Sequence, residues 1–170
     1  MKRSDNMKKY EIGMYGGKFL PLHKGHNYCI DIATEECDKV YVILFFGGTD
    51  EEKVLETMND YYLSLEDRKN RLINLCNNYE NAIPTFIDVS NVRLPDGKED
   101  WDGETPLVRE VVGDKLDAVY SSEMYYDDYF KRAYPEAEHR IVDLERKKFP
   151  ISGTKIRNMK EREERELWIV

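Results

Sequence analysis

The residues best suited to chemistry stand together in Gly16-Gly17-Lys18-Phe19-Leu20-Pro21-Leu22-His23-Lys24-Gly25-His26. Tyr10-Glu11-Ile12-Gly13-Met14-Tyr15 before it reads as a strand. After it, Cys29, Ile30, Ala33 and Cys37 recur at helical spacing, predicting a helix over Asn27 to Cys37 that opens at Gly25 or His26. A strand-to-helix turn is a natural anion site, because the first helical turn has free N–H groups and partial positive charge. Gly16, Gly17 and Gly25 allow a sharp bend and a close ligand approach. Lys18 adds a point charge, and His23 and His26 can both face the space above the helix start. Two imidazoles and an ammonium around one anion can stabilise charge that develops in a transition state. A single histidine or a Gly-Gly pair would mean only a turn; the joint pattern signals a site.

A second stretch, Phe149-Pro150-Ile151-Ser152-Gly153-Thr154-Lys155-Ile156-Arg157, reads as a helix start with Ser152 as N-cap. Two hydroxyls and the planar fork of Arg157 suit phosphate, although alone this would be no more than a capped helix. Arg146, Lys147, Lys148, Lys155 and Arg157 make the region locally basic.

These residues need a scaffold. Lys39 to Phe46 is a nearly continuous apolar run, which suits a buried parallel strand. Strand, helix, strand is a βαβ unit, and such units bind ligands at the carboxyl ends of their strands. Asp50 to Tyr62 reads as either a loop or an irregular helix over the site. Ser64 caps a helix with Leu65, Leu72, Ile73 and Cys76 on its apolar face, leaving Arg68 and Arg71 on a solvated face. A third strand falls at Ala82 to Val89. Leu94 to Gly103 is turn chemistry carrying Trp101, whose indole either stacks on a planar substrate ring or folds back onto the core. Thr105 reads as the cap of a helix with Pro106 at its first position and Leu107, Val108, Val111, Val112 and Leu116 on its face. Asp117 to Ser121 is a strand ending in Ser121-Ser122-Glu123, small polar groups where ligands gather. Met124 to Tyr134 is a helix whose tyrosines read as packing, and His139 to Val142 is a final strand in which His139 looks ordinary.

The whole is an α/β chain with a Rossmann-like, doubly wound parallel sheet. Its 170 residues suggest one domain over 10–170 behind a flexible tail at 1–9. No apolar run is long enough for a membrane span, and no apolar stretch follows the N-terminal lysines to make a signal peptide. Cys29, Cys37 and Cys76 form no C-x-x-C pair, so neither zinc nor a disulfide framework is suggested, and a cytoplasmic location is expected. A net charge of -8 argues against general nucleic-acid binding but not against a small polyanion in a local basic pocket.

His23-Lys24-Gly25-His26 resembles the His-x-Gly-His signature of the nucleotidyltransferase superfamily, and Ile151-Ser152-Gly153-Thr154-Lys155-Ile156-Arg157 resembles its Ile-Ser-x-Thr-x-x-Arg signature. Cytidylyltransferases carry an Arg-Thr-x-Gly-Ile-Ser-Thr form of the second motif. Lys147-Lys148-Phe149-Pro150 stands before Ile151 here, so that match fails. The wording of Gly17 to His26 is most similar to the adenylyltransferase part of the bifunctional nicotinamide-nucleotide adenylyltransferase/ribosylnicotinamide kinases. The resemblance continues at Tyr120-Ser121-Ser122-Glu123 and from Ile141 through Arg157. No G-x-x-x-x-G-K-[ST] occurs, so kinase activity is not expected. Asn158 to Val170 and Gly47-Gly48-Thr49-Asp50 depart from the family wording, which leaves the acceptor less defined than the nucleotide.

The resemblance implies in-line transfer of AMP from ATP to nicotinamide mononucleotide, giving NAD+ and pyrophosphate. It implies His23, His26, Lys18 and Arg157 as the catalytic groups, the two histidines at the α-phosphoryl group and the two cations on the leaving pyrophosphate. ATP would meet Gly16, Gly17, Phe19, Gly25, Ser122, Glu123, Ser152 and Thr154, and Trp101 would stack on the acceptor's ring. Mg2+ would ride on the ATP phosphates with mostly water ligands. Two alternatives stay open: another phosphate acceptor, such as phosphopantetheine or a sugar phosphate, or a nucleotide-sensing module without turnover. ATP and the acceptor are the expected partners, with no nucleic acid and no membrane, and assembly into a homo-oligomer is left open.

Overall fold

The computed structural model describes residues 7–56, 58 and 63–170. Five parallel strands form one sheet in the order β3-β2-β1-β4-β5. They are β1 (Tyr10–Gly17), β2 (Cys37–Phe46), β3 (Ala82–Asp88), β4 (Ala118–Ser121) and β5 (Glu138–Ile141). The helices are α1 (Lys24–Glu36), α2 (Thr49–Glu56), α3 (Leu65–Cys76), α4 (Trp101–Val112), α5 (Asp127–Ala133), α6 (Gly153–Arg157) and α7 (Arg162–Glu166).

Alternation along β2 shows how the layers form. Val40, Val42 and Leu44 pack with Ile30, Ala33 and Leu72 of α1 and α3. The intervening Ile43 points the other way, to Val108 and Val112 of α4 and to Tyr134. Successive side chains of a strand face opposite sides, so a strand apolar at every position needs cover on both. The strand order reverses direction at β1, between β2 and β4. That switch point opens a crevice at the carboxyl ends of the strands, where Gly16, Gly17 and Ser121 lie.

Four details differ from the sequence reading. First, α1 runs directly into β2, so Cys37 begins a strand instead of ending a helix. Second, Asp100, not Thr105, caps α4, and its carboxylate accepts from Gly103 N at 2.9 Å. The acidic turn 100–103 starts the helix one turn early, and Thr105 Oγ1 donates back to the Trp101 carbonyl at 3.2 Å. Pro106 therefore sits inside the helix, and Leu116 lies beyond Gly113, which ends it. Third, Arg68 is not on a solvated face. Only 2% exposed, it pairs with Glu51 of α2 at 2.9 Å and donates to the Lys18 carbonyl at 2.7 Å. Fourth, His139 bridges Ser121 Oγ at 2.6 Å and Asp127 Oδ1 at 2.9 Å, fixing the end of β4.

The segment Asp50 to Tyr62 is helical as far as Glu56; 57 and 59–62 lie outside the described residues. So do residues 1–6 of the N-terminal segment, whose Lys8 donates to the Thr34 carbonyl at 2.8 Å. The three cysteines are free and buried. No helix among the described residues is long and apolar enough to cross a membrane.

Candidate active site

His23 is the N-cap of α1, in extended backbone. Its Nδ1 accepts from Gly25 N at 3.0 Å, and His26 Nδ1 accepts from His23 N at 3.1 Å. Each imidazole thus holds a free amide of the helix start, the reciprocal pattern of a capping box. The rings stack at 3.7 Å between centroids, and the edge of Phe19 meets His26 at 4.9 Å. This packing requires Gly25, because a Cβ there would lie 2.8 Å from His23 Cε1. Phe19 is itself buried and left-handed (φ 51°), so it is a prop beneath the histidines.

The protonation state follows. Burial, then the charges of Arg146 and Arg157, push His23 down to about 4. Burial, then its neighbours His23 and Arg146, hold His26 well below the usual imidazole range. Both rings are neutral near pH 7. With each Nδ1 accepting, each proton is on Nε2. The sequence reading of an ammonium flanked by two imidazoles becomes two neutral N–H donors.

The second motif closes over the first. Ser152 Oγ accepts from Lys155 N at 3.1 Å to start α6. Arg157 donates to the Leu20 carbonyl at 2.5 Å and to Thr154 Oγ1 at 3.1 Å, clamping α6 onto the histidine turn. On the far side of that turn the C-terminus adds a bridge from His23 to Ile169, with Lys24 N donating to Trp168 O at 2.9 Å.

Gly16, Gly17, Lys18, Phe19, His23, Gly25, His26, Trp101, Ser122, Glu123, Ser152, Thr154 and Arg157 all line one cavity of about 490 Å³. Gly16 passes under Phe45, where a Cβ would come within 2.6 Å of the ring. Ser122 Oγ lies 3.1 Å from Cys29 Sγ. Lys18 is turned away from the histidines, its Nζ 3.2 Å from Glu99 and 3.8 Å from Asp50. Trp101 lies in the cavity wall as the first residue of α4. Tyr125, Tyr126 and Tyr129 pack around it with centroids at 5.6, 5.2 and 5.7 Å. The indole packs against these tyrosines and lines the cavity.

Sequence reasoning missed four contributors. Arg146 lines the cavity from a left-handed backbone (φ 52°), donating to the Ile151 carbonyl at 3.1 Å and reaching Glu123 at 3.4 Å. Asp143 shapes that loop by accepting from Lys147 N, Lys148 N and Phe149 N. The basic run was visible in sequence; which member turned inward was not. Glu99 and Glu104 also line the cavity and had no signal beyond an acidic turn. Among the described residues no group of three or more His, Cys, Asp or Glu side chains is placed to hold a metal.

The chain is similar to the trifunctional NAD biosynthesis/regulator protein NadR of Escherichia coli, 28% identical over 151 residues. The match takes in 88% of this chain but 37% of the relative, so the chain spans little more than a third of that protein. A crystal structure of NadR in complex with NAD and AMP-PNP superposes with a TM-score of 0.68 at 24% identity, covering 96% of this chain and 46% of that one. A bifunctional NMN adenylyltransferase/ADP ribose pyrophosphatase from Francisella tularensis shares the fold at 19% identity and a TM-score of 0.60, covering 87% and 41%. No family model matches the chain.

Proposed function

We propose that this chain is an adenylyltransferase that moves AMP from ATP to nicotinamide mononucleotide, with 10–170 acting as one catalytic domain in the cytoplasm. The observation that carries the reading is the histidine pair. Both Nδ1 atoms are committed to backbone amides, so both Nε2–H groups are fixed donors in a cavity that Arg146 and Arg157 also line. The likeness to NadR, and the solved NadR complex with NAD and AMP-PNP, support the choice of substrates.

In the proposed reaction a phosphate oxygen of the mononucleotide attacks the α-phosphorus of ATP in line. The bond to the bridging oxygen breaks, and pyrophosphate leaves with that electron pair. No protein nucleophile is needed. Repulsion between two anions is the main obstacle, and preorganised donors in a site shielded from water lower it. His23 and His26 donate to oxygens of the reacting phosphoryl group. Arg157, Arg146, Ser152 and Thr154 hold the departing phosphates, and Mg2+ arrives with the nucleotide. Lys18, paired with Glu99, lines the Trp101 side of the cavity.

The test is release of pyrophosphate and NAD+ from ATP, Mg2+ and nicotinamide mononucleotide, with His26→Ala as the control. Alanine at this position removes the Nε2–H donor together with the cap on His23 N, so a melting curve accompanies the kinetics. A fall in kcat of about 10²–10³ in a variant that still melts cooperatively is expected, the usual effect of losing one transition-state donor. A folded variant turning over at the wild-type rate would sink the assignment.

A further inference from the structure

The loop 122–126 leaves β4 at Ser121 and enters α5 at Asp127, and one side chain of β5, His139, holds both of its ends. The imidazole Nε2 lies 2.6 Å from Ser121 Oγ, and its Nδ1 lies 2.9 Å from Asp127 Oδ1. Between those ends the loop lines the cavity with Ser122, Glu123 and Tyr126. His139 is therefore a clasp on one wall of the site, set behind the residues that face the ligand.

The hydrogen atoms decide how the clasp works. Lys131, then His139, holds the Asp127 carboxyl below the usual carboxylate range, so near pH 7 it only accepts and His139 Nδ1 must carry a proton. Ser121 Oγ accepts from Glu123 N at 3.3 Å. It has one proton to give and two acceptors within reach, His139 Nε2 and the Glu123 carbonyl at 3.0 Å. When the ring is neutral, Nε2 is an acceptor and takes that proton away from the carbonyl. When the ring is charged, Nε2–H donates to Oγ instead, and the hydroxyl proton turns to the Glu123 carbonyl. Both backbone groups of Glu123 are then tied to Ser121.

The surroundings keep this choice local. The ring is 5% exposed, and Phe130 meets it nearly perpendicular at 4.9 Å. The charges that α5 brings are Asp127 and its partner Lys131, 2.7 Å apart, while β4 brings the Ser121 hydroxyl. Glu138 and Arg140, the neighbours of His139 on β5, point to the other face of the sheet, where they engage Tyr10 and Glu36. On the loop itself the Glu123 carboxylate pairs with Arg146 at 3.4 Å. The other two histidines of the chain are held neutral, so the titration of this one can be followed alone.

We infer that His139 is a positioning residue for the nucleotide: its charge selects the partner of the Ser121 hydroxyl, and the charged form holds the Ser122–Glu123 edge of the cavity more firmly than the neutral form. The inference rests on ATP occupying this cavity, as proposed above.

The test follows the His139 ring by proton NMR across pH and measures Kd for ATP with Mg2+ over the same range, in the wild type and in Ser121→Ala. The ratio of the two Kd values at each pH cancels the titration of ATP itself. The wild type's advantage is expected to shrink by about fivefold as pH rises through the ring's midpoint, the worth of one neutral hydrogen bond. In an Asp127→Asn background both midpoints should move to lower pH together, because a charge that favours the imidazolium is gone. The wild-type Glu123 amide signal should move with the ring, which decides the matter if Ser121→Ala does not fold. A flat ratio, a Glu123 amide that ignores the ring, or a ring that keeps one charge throughout the folded range overturns this inference and leaves the transfer reading standing. No binding of ATP at any pH removes the transfer reading and this one with it.

Discussion

At the scale of single residues, the site works by committing atoms. An imidazole with one nitrogen spent on a backbone amide has a settled tautomer, and burial beside arginines keeps it uncharged. The consequence for stability has a definite sign. A histidine whose folded pKa lies near 4 binds its proton more weakly folded than unfolded, where 6.5 is ordinary. Its contribution is complete above about 6.5 and is lost as pH falls toward 4. Nitrogen-15 spectra of the free protein at pH 6 should show both rings neutral with the proton on Nε2. A charged ring at that pH would contradict the committed geometry. Arg146 shows the same logic in a cation. Its backbone lies in the left-handed region, and the Asp143 carboxylate gathers three amides to hold the loop that presents it.

At the scale of elements, helix starts set the geometry. Three of them face the cavity, each capped by a different side chain: His23 for α1, Asp100 for α4 and Ser152 for α6. The cap of α4 matters because Trp101 is that helix's first residue, and its carbonyl accepts from Tyr129 OH at 2.7 Å. Asp100→Ala should cost about 1 kcal/mol of stability, the usual price of an N-cap, and raise KM for the acceptor while kcat changes little. Urea denaturation and steady-state kinetics check the two halves separately. An unchanged KM would show that the indole keeps its place without the cap. Strand and helix patterns in this chain were legible because apolar periodicity reports which face is buried. The start of α4 was misread because Thr105-Pro106 satisfies the same local rule as Asp100-Trp101. What separates them is tertiary: Tyr129 engages Thr105 Oγ1 at 2.7 Å and the Trp101 carbonyl, fixing the earlier turn.

At the scale of the molecule, the Glu51–Arg68 pair ties distant parts to the site. Arg68 comes from α3, Glu51 from α2, and the same guanidinium holds the carbonyl of Lys18. Glu51 also accepts from Gly47 N at 3.0 Å. Removing one partner leaves a buried charge unpaired, so Arg68→Met should lose about 3–5 kcal/mol in urea denaturation. The double variant with Glu51→Gln should recover part of it. If Arg68→Met is as stable as the wild type, the pair is not the strut described.

By itself the sequence determined the parallel α/β architecture, the two motifs and the kind of ligand they suit. Those features rest on local rules: apolar periodicity, cap residues, glycines where a backbone must bend. Only the tertiary structure decided that both histidines are neutral, that Arg146 turns inward, that Arg68 is buried, and that the Glu99 carboxylate takes the indole N–H. Each of those depends on what a side chain meets from another part of the chain. Charge, burial and hydrogen-bond partnership are properties of the assembled neighbourhood, and no spacing along the chain records them.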